Sequence, residues 1–152
     1  MEIQENNITT ERTARYYTIG RANSDTENVW VVCHGYGQLA QFFIKHFQVW
    51  DDGKTFVLAP EALSRFYLGN EFTGRVGATW MTKEDRENEI EDYVNYLDKL
   101  YKMVLEKVDE EKVRFNFLGF SQGATTVCRY IALKKPKADN LVLWAGSFPH
   151  DL

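Results

Sequence analysis

Four short apolar runs, each bounded by polar or turn-forming residues, constrain this chain more than any other feature. They are Val29-Trp30-Val31-Val32-Cys33, Thr55-Phe56-Val57-Leu58-Ala59, Val113-Arg114-Phe115-Asn116-Phe117-Leu118-Gly119 and Leu141-Val142-Leu143-Trp144-Ala145. Runs of this kind read as strands buried on both faces, the habit of parallel sheets covered by helices. A further β-prone stretch, Ala14 to Ile19, precedes them. Helical patterns lie between the runs. Gln38 to Phe47 carries Leu39, Phe42, Phe43 and Phe47. From about Lys83 to Lys107 a long helix is predicted, since Ile90, Val94, Leu97, Tyr101, Val104 and Val108 recur at three- and four-residue steps, with Thr82 and Asp85 as a capping box. A third helix is predicted from Ser121 to about Lys134, stopped before Pro136. Leu63 to Trp80 reads as a short loop. The alternation predicts an α/β fold with three layers, α/β/α, and a mostly parallel central sheet.

Composition excludes several alternatives. The 152 residues fit one domain, 1–152. Eighteen Lys and Arg stand against 22 Asp and Glu, with no basic stripe, which argues against a nucleic-acid partner. The one tight basic cluster, Lys134, Lys135 and Lys137, reads as a helix C-terminus. No apolar run approaches the roughly 20 residues of a membrane span. The first residues have neither the basic start nor the apolar core of a signal peptide. Cys33 and Cys128 sit in apolar segments and read as buried, reduced thiols, so a cytoplasmic setting is expected.

Chemistry enters with Gly119-Phe120-Ser121-Gln122-Gly123, a G-x-S-x-G match. The pattern alone is weak, but here it follows an apolar strand and opens a helix, as a nucleophile elbow requires. The plainer alternative is a strand-to-helix turn with Ser121 as N-cap. Upstream, the first strand runs into His34-Gly35-Tyr36-Gly37-Gln38. In serine hydrolases built on such a sheet, this loop supplies one backbone N–H to the oxyanion and the residue after the nucleophile supplies the other. Tyr36 and Gln122 are the expected donors, with Ser121 as the nucleophile. His34, Gly35, Gly37, Gly119 and Gly123 shape the supporting loops, and the His34 ring is expected to be structural.

These residues resemble the α/β-hydrolases, specifically the phospholipase/carboxylesterase and acyl-protein thioesterase type. The landmarks are His34-Gly35-Tyr36-Gly37, Ala59-Pro60, Trp80, the acidic opening of the long helix, and Gly119 to Ala124. The resemblance implies a small acyl ester or thioester substrate, no metal and no organic cofactor. It also implies that Trp80 lies in the loop beside the active site, where Trp80 and Leu39 are candidate pocket residues; the plainer reading of Trp80 is loop packing. A peptidase or carbon–carbon bond hydrolase shares the same scaffold, because fold does not set substrate.

The same resemblance implies a chain order of Ser, Asp, His. After Ser121 the chain holds one histidine, His150, and two aspartates, Asp139 and Asp151. Asp139 precedes its strand, which places it at the wrong edge of the sheet. Asp151 follows a strand and is the better acid candidate. His150 reads as a loop histidine and His46 as a helix-end one. Leu141 to Ala145 would be an unprotected apolar edge. The expectation is a fold incomplete on its C-terminal side, lacking two β-α units of about 60 residues, with the triad Asp and His beyond Leu152. A competing expectation is an inactive binding or scaffold protein that pairs its open edge with a second copy of the chain.

Overall fold

A computed structural model describes residues 1–152. Seven strands form: β1 (Tyr16–Ile19), β2 (Asn28–Cys33), β3 (Thr55–Pro60), β4 (Ser64–Tyr67), β5 (Val76–Thr79), β6 (Arg114–Phe120) and β7 (Asn140–Trp144). Three α-helices join them: α1 (Ala40–Phe43), α2 (Arg86–Leu105) and α3 (Gln122–Lys134). The main sheet has the order β1-β3-β2-β6-β7. All its pairs are parallel except β1 with β3, which is antiparallel.

Side-chain alternation sorts the core into two layers. Val29, Val31 and Cys33 of β2, Phe56 and Leu58 of β3, and Phe115 and Phe117 of β6 face α2 and α3. Val32, Val57, Ala59 and Leu118 face the other way, against Ala40, Phe43, Ile44 and Phe47. Every residue of β3 is buried, as expected of a strand covered on both sides. The architecture is therefore three-layered with a mostly parallel sheet, the α/β-hydrolase arrangement.

Three local expectations need correction. The stretch Gln38 to Phe47 is not one helix: α1 has four residues and continues as a 3-10 helix over Ile44–Trp50. Along it Phe43 meets Phe47 edge-on, Phe47 meets Trp50, and Trp50 meets Trp30. Thr82 and Asp85 make no capping box. Asp85 is itself the N-cap, in left-handed backbone with no side-chain cap bond, while the Thr82 hydroxyl accepts the Glu84 N–H at 3.1 Å. The Leu63 to Trp80 segment is not a plain loop but a hairpin, β4 antiparallel to β5.

The far edge agrees in part. β7 pairs with β6 alone, so its outer side is open. Leu141 and Leu143 pack into the core, whereas Val142 and Trp144 are 39% and 43% exposed, Trp144 with its ring against Phe43 and Phe120. No helix is long and apolar enough to cross a membrane.

Candidate active site

β6 ends at Phe120 and α3 begins at Gln122, which leaves Ser121 alone at the corner. Its backbone sits at φ 54°, ψ −114°, a conformation costly for any residue with a Cβ. The side chain is exposed and the N–H donates to the Trp144 carbonyl at 2.9 Å. Neighbouring glycines permit this corner. A Cβ on Gly119 would lie 2.2 Å from the Gly123 oxygen, and one on Gly123 would lie 2.1 Å from the Cys33 oxygen. Gly146, just past β7, approaches the Ser121 carbonyl in the same way, at 2.8 Å from its absent Cβ.

The His34–Leu39 loop sits against this corner. A Cβ on Gly35 would fall 3.1 Å from the Phe120 oxygen. Gly35 N–H donates to Gln38 Oε1 at 2.7 Å, closing the loop on itself. Gly37 N–H reaches the Ala78 carbonyl at 2.8 Å, and Ala78 N–H returns to the Gln38 carbonyl at 2.9 Å. This two-bond bridge fastens the loop to β5. Gly77 makes it fit, since its Cβ would lie 2.2 Å from the Gly37 oxygen. Tyr36 N–H makes no hydrogen bond within the protein. Gln122 N–H belongs to the first turn of α3, where backbone donors have no intrahelical acceptor.

His34 is fully buried beneath the loop. Ala62 N–H donates to its Nε2 at 3.0 Å, so the neutral ring carries its proton on Nδ1, aimed at the Gly35 carbonyl at 2.8 Å. Burial holds its pKa below the ordinary histidine value, against the opposing pull of the Gly35 carbonyl and the Glu61 charge. Both ring nitrogens are committed, as a structural histidine requires.

Of the two readings of Trp80, pocket lining and loop packing, its surroundings are those of loop packing. It is 2% exposed, stacks near the His34 ring at 5.1 Å, and donates its indole N–H to the His34 carbonyl at 2.8 Å. It is a strut under the loop rather than the wall of a pocket. Leu39 does line a groove of about 440 Å³, with Gly37, Phe42, His46, Arg75 and Val76. A larger cleft of about 890 Å³ lies between residues 7–16 and α2, lined by none of the loop or corner residues.

Two side chains absent from the sequence reading hold the site. The Gln122 amide takes the Trp80 N–H at 3.0 Å on Oε1 and donates through Nε2 to Thr79 Oγ1 and the Met81 carbonyl, at 3.0 and 2.9 Å. Glu61, 1% exposed, accepts from Arg15 Nε at 2.6 Å, Arg65 Nε at 2.9 Å and Ala40 N–H at 3.2 Å. Burial pushes its pKa up, but the two guanidiniums and the Ala40 amide outweigh that and hold it below the ordinary glutamate value. Glu61 thus caps α1 while its neighbour Ala62 bonds His34. No sequence pattern around Glu61 signals this. For Gln122 the only signal was its place in the serine motif.

The remaining acids and histidines do not join Ser121, whose hydroxyl makes no side-chain hydrogen bond. Asp139 pairs with Lys137 at 2.6 Å and accepts the Phe115 N–H at 2.7 Å, at the N-terminal end of β6. Asp151 pairs with Arg86 at 2.5 Å and Arg129 at 3.3 Å. Its carboxyl is held down to about 2, first by Arg86 and then by Arg129, against partial desolvation. That use of both oxygens corrects the idea of Asp151 as the triad acid. His46 stands edge-on to Trp144 at 5.9 Å. His150 is exposed.

No protein-family profile matches the sequence, and neither does any curated protein sequence. Solved structures do match in shape. Acyl-protein thioesterase 2 of Zea mays superposes with a TM-score of 0.60 at 18% identity, over 91% of this chain and 64% of that one. A phospholipase/carboxylesterase of Dyadobacter fermentans gives 0.59 at 16% identity, over 93% and 64%. Esterase PE8 gives 0.62 at 22% identity, over 90% and 66%. The chain spans about two thirds or less of the length of these proteins. At such identities the likeness establishes the fold, which is that of the α/β-hydrolases.

Proposed function

We propose that this chain is the serine-bearing part of a hydrolase acting on carboxylic esters or thioesters. The observation that carries the proposal is Ser121, exposed at a strained strand-to-helix corner with the Tyr36 loop packed against it. In this reading the Ser121 Oγ attacks the acyl carbon and its proton passes to a histidine base. The Tyr36 and Gln122 N–H groups stabilise the oxyanion, a role in which one donor is typically worth about 3–4 kcal/mol. The tetrahedral intermediate collapses, the alcohol or thiol leaves with the proton, and the acyl group stays on Ser121. Water then attacks the acyl-enzyme, with the same base taking and returning the proton. No metal or organic cofactor takes part.

The base and its aspartate come from outside these 152 residues. His34 has both nitrogens engaged, and neither His46 nor His150 bonds the Ser121 hydroxyl. Without a base, a serine hydroxyl is a poor nucleophile at neutral pH. The 152-residue chain by itself is therefore inactive as a turnover enzyme.

The test uses the product of the intact gene, isolated from its own cells. It should hydrolyse a short p-nitrophenyl ester, and Ser121→Ala should abolish this. Hydrolysis that survives Ser121→Ala overturns the proposal. The competing reading, an inactive scaffold that docks a second copy along β7, is favoured by the open edge of that strand. It requires a stable dimer by sedimentation and no ester hydrolysis by the intact product.

A further inference from the structure

The groove beside the loop has a chemical character of its own. Leu39, Phe42 and Val76 line it with apolar side chains, and Arg75 and His46 line it as well. No carboxylate lines it, although the chain carries 22 acidic residues. Arg75 makes no ion pair, unlike Arg15, Arg65, Arg86 and Arg129 and like Arg12, Arg21 and Arg114, none of which lines the groove. Lys45 adds a second cation nearby, its ammonium 5.4 Å from the centre of the Phe42 ring.

The groove is also built firmly. The Arg75 carbonyl accepts the Leu68 N–H at 2.7 Å across the hairpin. The hairpin in turn is bridged to the loop through Gln38 and Ala78. Gly37, the residue after Tyr36, lines the groove and is bonded to Ala78, which stands three residues along the hairpin from Arg75. Phe43, which also lines the groove, has its ring 6.2 Å from that of Phe120, the residue before Ser121. An acyl chain whose carbonyl sat at the Tyr36 amide would run along Leu39 and Phe42 and end near Arg75. At about 440 Å³ the space lies within the usual range for small-ligand sites.

We infer that this groove selects acyl groups carrying a carboxylate at the end remote from the scissile bond. The apolar walls take the methylenes, and the unpaired Arg75 guanidinium takes the carboxylate in a charge-assisted hydrogen bond. One unpaired guanidinium balances one carboxylate. The inference rests on the hydrolase reading for the placement of the scissile bond.

The experiment is direct binding to the 152-residue chain carrying Ser121→Ala, so that no turnover intervenes. Calorimetry compares monomethyl suberate, which has one free carboxylate, with methyl octanoate, which has none. The acid should bind about tenfold more tightly, the scale of one charge-assisted hydrogen bond. Arg75→Ala should abolish the difference, Arg75→Lys should keep most of it, and Arg75→Glu should invert it. In the unchanged groove the preference should shrink as salt rises. Equal binding of the two esters, binding of neither, or a preference indifferent to both Arg75→Ala and salt overturns the inference. Because none of this requires a reactive serine, failure of the hydrolase reading shows separately, as esterase activity in the intact product that survives Ser121→Ala.

Discussion

Gly123 lies so close to Cys33 that a Cβ on the glycine would stand 2.1 Å from the cysteine's carbonyl oxygen. The contact joins the first turn of α3 to the end of β2, and so joins the Ser121 corner to the start of the His34 loop. Both partners are backbone, so neither can swing aside. Gly123→Ala should destabilise the fold by about 3 kcal/mol or more, at the upper end of overpacking costs. Gly74→Ala, which meets only the Glu71 oxygen at 3.4 Å, should be close to neutral. Urea titrations of the two variants provide the check.

Ser121 stores backbone strain. Glycine tolerates its positive φ, whereas alanine keeps the Cβ and the strain. Ser121→Gly should therefore be more stable than Ser121→Ala by about 1 kcal/mol. At an ordinary helix start the two would differ by less, and at a helix interior the order would reverse. Thermal unfolding of the pair decides it.

Gln122→Ala leaves the Trp80 N–H without its partner and removes one of the two donors to the Met81 carbonyl, the Thr79 hydroxyl remaining at 2.8 Å. An unsatisfied buried group costs about 1–3 kcal/mol. Gln122→Glu should also destabilise, because a carboxylate cannot donate to Met81. Both should loosen the packing of Trp80, visible as a change in near-ultraviolet circular dichroism.

Glu61 should make stability fall in acid. Its pKa is lower in the folded chain than in the unfolded one. The stabilisation is therefore complete above the ordinary glutamate pKa and is lost as pH falls through the lower folded value. Glu61→Gln should cost about 1–3 kcal/mol at neutral pH, less than the loss of a fully buried pair. The discount reflects Arg15 and Arg65, which are 42% and 39% exposed. The variant should also show a flatter stability profile between neutral and acid pH.

Much of this was legible in the sequence, for physical reasons that differ by element. The strands β2, β3 and β6 announced themselves because burial on both faces removes polar alternation. Ser121 stood out because its corner demands glycines at fixed offsets, and Gly119 and Gly123 supply them. β4 and β5 were hidden. Each has four residues, one with only alternate half-burial, and their sheet forms by docking onto the Gly37 loop rather than by intrinsic preference. Thr82 and Asp85 matched a capping pattern that the left-handed turn at Asp85 overrides. Trp80 left two readings open, pocket wall and loop packing, because its position in sequence is beside the site. Its indole instead turns inward to the His34 carbonyl, a contact 46 residues away along the chain. Glu61 was invisible because Arg15 and Ala40 reach it from distant segments.

The central claim is that Ser121 is a nucleophile presented to an oxyanion site, with its base and the base's aspartate outside these 152 residues. Free imidazole can stand in for that base. The measurement is the rate at which a fluorophosphonate probe labels the 152-residue chain as imidazole is raised, with the modified residue located by mass spectrometry. The account predicts slow labelling at Ser121 alone, accelerated by imidazole and absent in Ser121→Ala. Labelling that ignores imidazole, or that persists in Ser121→Ala, would contradict it.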